Sequence, residues 1–224
     1  MTRIAPRDLF LARLPAPARR AFLQCTELPL FRRSHWYLAG GTALALQVGH
    51  RQSRDLDFFT PRPAFAELEL ERSLLATGGW KTDLRERGTI YGTLSGAKVS
   101  FIAYPFFAPS REKIACGNLT IIPPRDIAVM KIVAVSQRGR KRDFVDLFWF
   151  CNNREPLDTL IPRVLAQYPA RRHNLPHFLK SLTYFADAEG EPMPRLFFKT
   201  SWKAIRGFFE REVPRIARTI LQLE

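Results

Sequence analysis

Apolar and polar positions follow two different rhythms along this chain. Up to about residue 122 the apolar segments are short and punctuated by glycine; after Pro123 and Pro124 they lengthen and take the 3.6-residue period of helices. In the first part, residues 16–28 read as a helix and 35–39 as a short buried strand that Gly40 and Gly41 end. Residues 43–48 read as a short helix that Thr42 can N-cap and Gly49 closes. Residues 54–59 suggest a second strand, 65–76 a helix, and 80–85, 90–94 and 99–104 three further strands. In the second part, 125–137, 142–151 and 157–168 read as helices, with further helical pattern around 175–187 and 201–223. The expected architecture is α+β. A mixed sheet flanked by helices occupies 1–122, and a helical bundle over 123–224 packs against it without a linker and shares a cleft.

Composition narrows the classes. The chain has 224 residues, 46% hydrophobic and 25% charged, which is enough for a core without disulfide or metal staples. No apolar run reaches the roughly 20 residues of a membrane-spanning helix, so no membrane partner is expected. The start is broken by charge and proline, which argues against a secretory leader. Three scattered cysteines fit a reducing cytoplasm. Thirty-five basic residues against 21 acidic ones leave a net charge of +14, and such a field attracts polyanions, nucleic acid first among them. The histidines, His35, His50, His173 and His177, show no ligand spacing with the cysteines that would suggest zinc. Arg19, Arg20, Arg32, Arg33, Arg171 and Arg172 carry no assignable role.

Four groups of residues carry candidate chemistry. Gly40, Gly41 and Thr42 stand at a strand-to-helix turn, where absent Cβ atoms let backbone N–H groups approach an anion beside a helix N-terminus. The same pair also suits a tight turn that needs glycine for its dihedrals alone. Asp55 and Asp57 alternate with Leu56 and Phe58, so strand geometry puts both carboxylates on one face. They either form a solvated strand face or share a cation, and Mg²⁺ is the usual one in phosphate chemistry. Lys131 sits in a helix that is apolar on nearly every side. Either its long stem snorkels to solvent, or its ammonium meets an anion, whether a triphosphate oxygen or a carboxylate of the next helix. Asp143 and Asp146, three apart on that helix, are the obvious carboxylates, although acids in a first turn also suit the helix dipole. Arg138, Arg140, Lys141 and Arg142 surround a glycine turn between the two helices. They can clamp an acceptor backbone or form an ordinary solvated loop.

The stretch from Tyr37 through Gly40, Gly41 and Thr42, followed by Asp55-Leu56-Asp57-Phe58-Phe59, resembles the nucleotidyltransferase superfamily signature, and specifically that of the AbiEii/AbiGii toxin family. The run from Asp126 to Lys131, and then Asp143 and Asp146, resembles that family's downstream motif. The resemblance implies a polymerase-beta-like nucleotidyltransferase fold, Mg²⁺-dependent use of a nucleoside triphosphate (NTP), an RNA acceptor such as tRNA, and a cognate antitoxin protein. On that reading Asp55 and Asp57 hold the metal, with a second metal allowed, and Gly40, Gly41 and Thr42 cradle phosphate. Lys131 stabilises the leaving pyrophosphate, Asp143 and Asp146 complete the catalytic group, and Arg138, Arg140, Lys141 and Arg142 bind RNA. One departure stands out. Active members of the superfamily generally add a third carboxylate from a later strand, and here the positions expected to supply it hold Lys98 and Ser100. A catalytically silent nucleotide-binding regulator, or an RNA-binding protein without a nucleotide site, are the alternatives.

Overall fold

The computed structural model describes residues 1–170 and 175–221; Arg171, Arg172, His173 and the last positions of the final expected helix lie outside the described residues. The chain divides into two compact units, Met1–Pro124 and Arg125–Glu224.

The first unit is built on one mixed sheet. Its strands are β1 (Thr2–Ile4), β2 (Tyr37–Ala39), β3 (Leu56–Thr60), β4 (Trp80–Glu86), β5 (Thr89–Leu94), β6 (Ala97–Ala103), β7 (Ile114–Cys116) and β8 (Leu119–Ile121), in the order β1-β7-β8-β2-β3-β6-β5-β4. Helices α1 (Ala16–Glu27), α2 (Gly40–Val48) and α3 (Glu67–Leu75) flank it. At its centre β2 runs antiparallel to β3, and β3 runs parallel to β6. The expected strands and helices are present, with ends shifted by one to three residues. β1, β7 and β8 were not expected, because segments of three residues are too short to display a period of two.

One face of the central strands gathers the core. Leu56, Phe58, Val99 and Phe101 are buried, and Phe101 lies 5.1 Å from Phe58 and 5.2 Å from Trp36 between ring centroids. Phe31 lies tilted against Phe58 at 4.6 Å. Such aromatic packing fixes the position of β3 against β6, and with it the opposite face, where Asp57 and Ser100 stand.

The second unit contains α4 (Pro124–Arg138), α5 (Lys141–Asn153), α6 (Leu157–Gln167), α7 (Leu175–Ser181), α8 (Ala186–Glu189) and α9 (Trp202–Leu221). Phe144 centres its core, with Phe185, Trp202 and Phe209 at 5.2, 5.8 and 5.4 Å. Among the described residues no helix is long and apolar enough to cross a membrane.

Candidate active site

The turn from β2 into α2 is shaped by what surrounds its two glycines. Ala39 is extended, and Gly40 follows with a φ of +70°, a region that L residues avoid. A Cβ on Gly40 would stand 2.7 Å from Asp57 Oδ2, so the backbone and that carboxylate approach as only glycine allows. A Cβ on Gly41 would overlap the Arg51 guanidinium. The turn is therefore held between an acid on one side and a buried arginine, 3% exposed, on the other. The helix begins at Gly40, three residues earlier than expected, and no side chain caps it. The first N–H groups of α2 thus lack intrahelical partners, and Gly40 and Gly41 are partly open to solvent.

Thr42 is not the N-cap. Its hydroxyl is buried, donates to the Asp55 carbonyl oxygen and lies 2.8 Å from Ser53 Oγ. That proton is committed, so the expected phosphate contact through the Thr42 hydroxyl is replaced by a structural one. The hydroxyl ties the first turn of α2 to the entry of β3, and only the backbone N–H of Thr42 remains for an anion.

Asp57 lies within β3, and Asp55 immediately precedes that strand. Both are half-buried, as is Phe59, while Leu56 and Phe58 between them are sealed in the core. Asp57 pairs in register with Ala39 on one side and with Ser100 on the other. Ser100 donates its hydroxyl to Asp57 Oδ1 at 2.8 Å. Among the described residues no group of three or more acids, histidines or cysteines is arranged to hold a metal. Two carboxylates alone fit Mg²⁺, which keeps open positions for water and substrate phosphates and is commonly held by one or two carboxylates.

In the helical unit Lys131 is 4% exposed, and its ammonium meets Asp143 at 2.5 Å and Asp146 at 2.8 Å, both carboxylates being wholly buried. Of the two anions open to Lys131 from sequence, the structure supplies the carboxylates. Two of its three donors are thereby engaged, and Asp143 also accepts from Arg138 Nε at 3.1 Å. The cluster is sealed, and in this structure Asp143 and Asp146 face Lys131 and not solvent.

The basic turn is divided. Arg138 and Arg140 are exposed and Arg142 is half-buried. Lys141, expected among the RNA contacts, is turned inward instead. It is 6% exposed, donates to the carbonyls of Glu189 and Glu191, and lies 5.0 Å from the Trp202 ring. These partners come from 48 to 61 residues along the chain, so no local pattern announces them. Arg51 is not legible in the sequence either, because a lone cation carries no spacing signal.

Comparison with known proteins identifies the family and the fold. A family model described as nucleotidyl transferase AbiEii toxin, type IV toxin–antitoxin system, matches residues 22–222. An uncharacterized protein of Aquifex aeolicus is 35% identical over 180 residues, 80% of this chain and 86% of its own length. Among solved structures, MenT4, a nucleotidyltransferase toxin from Mycobacterium tuberculosis, aligns with a TM-score of 0.55 at 18% identity, over 91% of this chain and 89% of that one. A putative nucleotidyltransferase from H. pylori aligns with a TM-score of 0.51 at 16% identity, over 94% and 99%. These two likenesses speak to the fold.

Proposed function

Because the chain belongs to the AbiEii nucleotidyltransferase toxin family of type IV toxin–antitoxin systems, we propose that it transfers a nucleoside monophosphate from an NTP to an RNA acceptor such as tRNA, at a site built from the α2 turn and β3. The observation that carries the proposal is the contact between the two parts of the signature, with the Gly40 backbone against Asp57 Oδ2.

Asp55 and Asp57 would hold Mg²⁺, which when bound neutralises triphosphate charge and lowers the pKa of an acceptor hydroxyl. The other contributions come from the chain itself. The N–H groups of Gly40, Gly41 and Thr42, at the uncapped first turn of α2, donate to phosphate oxygens, aided by the positive end of the helix. Arg51, packed against Gly41, adds a fixed positive charge to the same turn. Ser100 orients Asp57 through Oδ1, leaving Oδ2 facing the turn. The acceptor oxygen attacks the α-phosphorus as its hydroxyl proton passes to solvent water, and pyrophosphate departs with the electrons of the broken P–O bond. No covalent enzyme intermediate is needed, because positioning and electrostatics supply most of such catalysis. Arg138, Arg140 and Arg142 are proposed acceptor contacts, and Lys131, Asp143 and Asp146 serve to lock α4 to α5. A cognate antitoxin and a cytoplasmic location accompany this reading.

The test is incubation of purified protein with labelled nucleotides, Mg²⁺ and total RNA. Label should enter RNA with wild type and be lost by at least about a hundredfold with Asp57→Asn, the scale on which removed charge stabilisation is felt. Equal labelling by the two proteins contradicts it. One observation favours a second reading. Ser100 stands in register with Asp57 where a third carboxylate would complete the acid group. A catalytically silent regulator would bind Mg²⁺ and NTP in a calorimeter and release no pyrophosphate.

A further inference from the structure

Beyond the carboxylates, the same side of the sheet is open to solvent at Leu84 and Lys81 of β4, Tyr91 of β5 and Lys98 of β6, while Ser100 beside Asp57 is buried. Residues paired across a sheet point to one side, so the registers set Asp57, Ser100, Tyr91 and Leu84 in a single row across β3, β6, β5 and β4. The adjoining row holds Lys98, Thr93 and Lys81. On the reverse side Val99, Phe101, Ile90 and Leu94 are buried. On the Asp57 side Tyr91 is 42% and Leu84 40% exposed, and both lysines are exposed.

An irregularity in β4 makes this row what it is. Register shifts between Thr82 and Leu84, so Leu84 and not Asp83 stands opposite Tyr91. Bulges re-aim side chains in this way. Here the bulge moves a carboxylate out of the row beside the tyrosine. Glu86 is the acid on this side of β4, in the row beyond Tyr91 from the lysines. The face therefore has an apolar centre and a cationic flank.

An open aromatic ring with ammonium groups beside it suits a single-stranded polynucleotide, because every base has a face to stack and every residue a phosphate to neutralise. The net charge of +14 favours the same class of partner. Strands about 4.8 Å apart put Tyr91 roughly 10 Å from Asp57. We propose that the open face of β4–β6 is the platform for an unpaired end of the acceptor RNA. A base stacks on Tyr91, phosphates meet Lys98 and Lys81, and the terminal hydroxyl extends along the row to Asp57. The proposal rests on the nucleotidyl-transfer reading and adds to it the form of acceptor. A duplex has no free base face to offer Tyr91, so the accepted end is single-stranded.

The test is fluorescence anisotropy with labelled oligoadenylate, in EDTA and without nucleotide, with circular dichroism melts to confirm that each variant folds. Tyr91→Ala should weaken binding by about 5- to 150-fold, the range for loss of one stacked base, and Tyr91→Phe should retain it. The double variant Lys81→Ala, Lys98→Ala should reduce the dependence of log affinity on log salt by roughly 1.4, at about 0.7 per single-strand phosphate. Wild-type affinity and salt slope in both the Tyr91→Ala and the double-lysine proteins would overturn the proposal. So would light scattering that shows a dimer which Tyr91→Ala dissolves, because the face would then be an interface between copies. Labelling that needs Asp57 and ignores Tyr91 keeps the transfer reading and overturns the platform. Tyr91-dependent binding without any labelling does the reverse.

Discussion

Ser100 donates a hydrogen bond to Asp57 Oδ1 from the directly opposite position of a parallel strand pair, 2.8 Å away. The serine thus occupies the strand position next to the proposed metal carboxylate. It orients that carboxylate without adding charge to it.

Placing a carboxylate there should make the site dependent on a cation. Ser100→Asp sets a like charge across from Asp57, a pairing that costs up to about 1 kcal/mol. Without divalent ions the melting temperature should fall by roughly 2–4 °C, the shift that such a loss produces in a chain of this size. Millimolar Mg²⁺ should restore it, and differential scanning fluorimetry reads both. A variant that melts identically with and without Mg²⁺ would place the ion elsewhere.

Gly40 should tolerate no side chain. With φ at +70° and Asp57 Oδ2 at 2.7 Å from the position of a new Cβ, Gly40→Ala combines left-handed strain of roughly 1–2 kcal/mol with a displaced carboxylate. Urea unfolding should show that loss, and nucleotide affinity should fall with it.

The Lys131 cluster should behave as a buried ion group. Lys131→Ala removes the ammonium that the two sealed carboxylates share, leaving Asp143 with Arg138 at its other oxygen, and the expected cost is about 3–5 kcal/mol by urea denaturation. Replacing Lys131, Asp143 and Asp146 together by Met, Leu and Leu should recover most of it. If the single variant is as stable as wild type, the cluster does not hold α4 to α5.

Acid should expose the same cluster. Burial pushes the Asp143 carboxyl upward, but the Lys131 and Arg138 charges beside it prevail and hold it below the usual carboxylate range. A group depressed in the folded state stabilises fully above its unfolded value of about 3.9, and that stabilisation disappears as pH falls through the lower folded value. Its contribution should therefore be constant from about pH 7 to pH 5 and decline below about 4. Urea midpoints measured across that range should show a shallower acid decline for Asp143→Asn than for wild type.

Much of the site is legible in the sequence because its signals are local. The alternation of Asp55, Leu56, Asp57 and Phe58 fixes which side chains share a face, and two glycines after a buried strand mark the turn. What is not legible depends on pairing at a distance. Ser100 meets Asp57 across 43 residues, and only the parallel register of β3 and β6 reveals it. Lys141 reads as one more cation in a basic turn, yet carbonyls about 50 residues away draw it inward. The row from Asp57 to Leu84 requires three strand registers and a bulge, none of which a pattern of apolar residues encodes. The strands β1, β7 and β8 escape for a simpler reason, being too short to show any rhythm.

The most direct test of the proposed site is a crystal soaked with Mn²⁺ and a nonhydrolysable nucleoside triphosphate, with anomalous scattering used to find the metal. The expected map shows a peak bound by Asp55 and Asp57, with triphosphate oxygens against the N–H groups of Gly40 and Gly41. A metal peak away from both aspartates, or a triphosphate lying elsewhere on the chain, would contradict it.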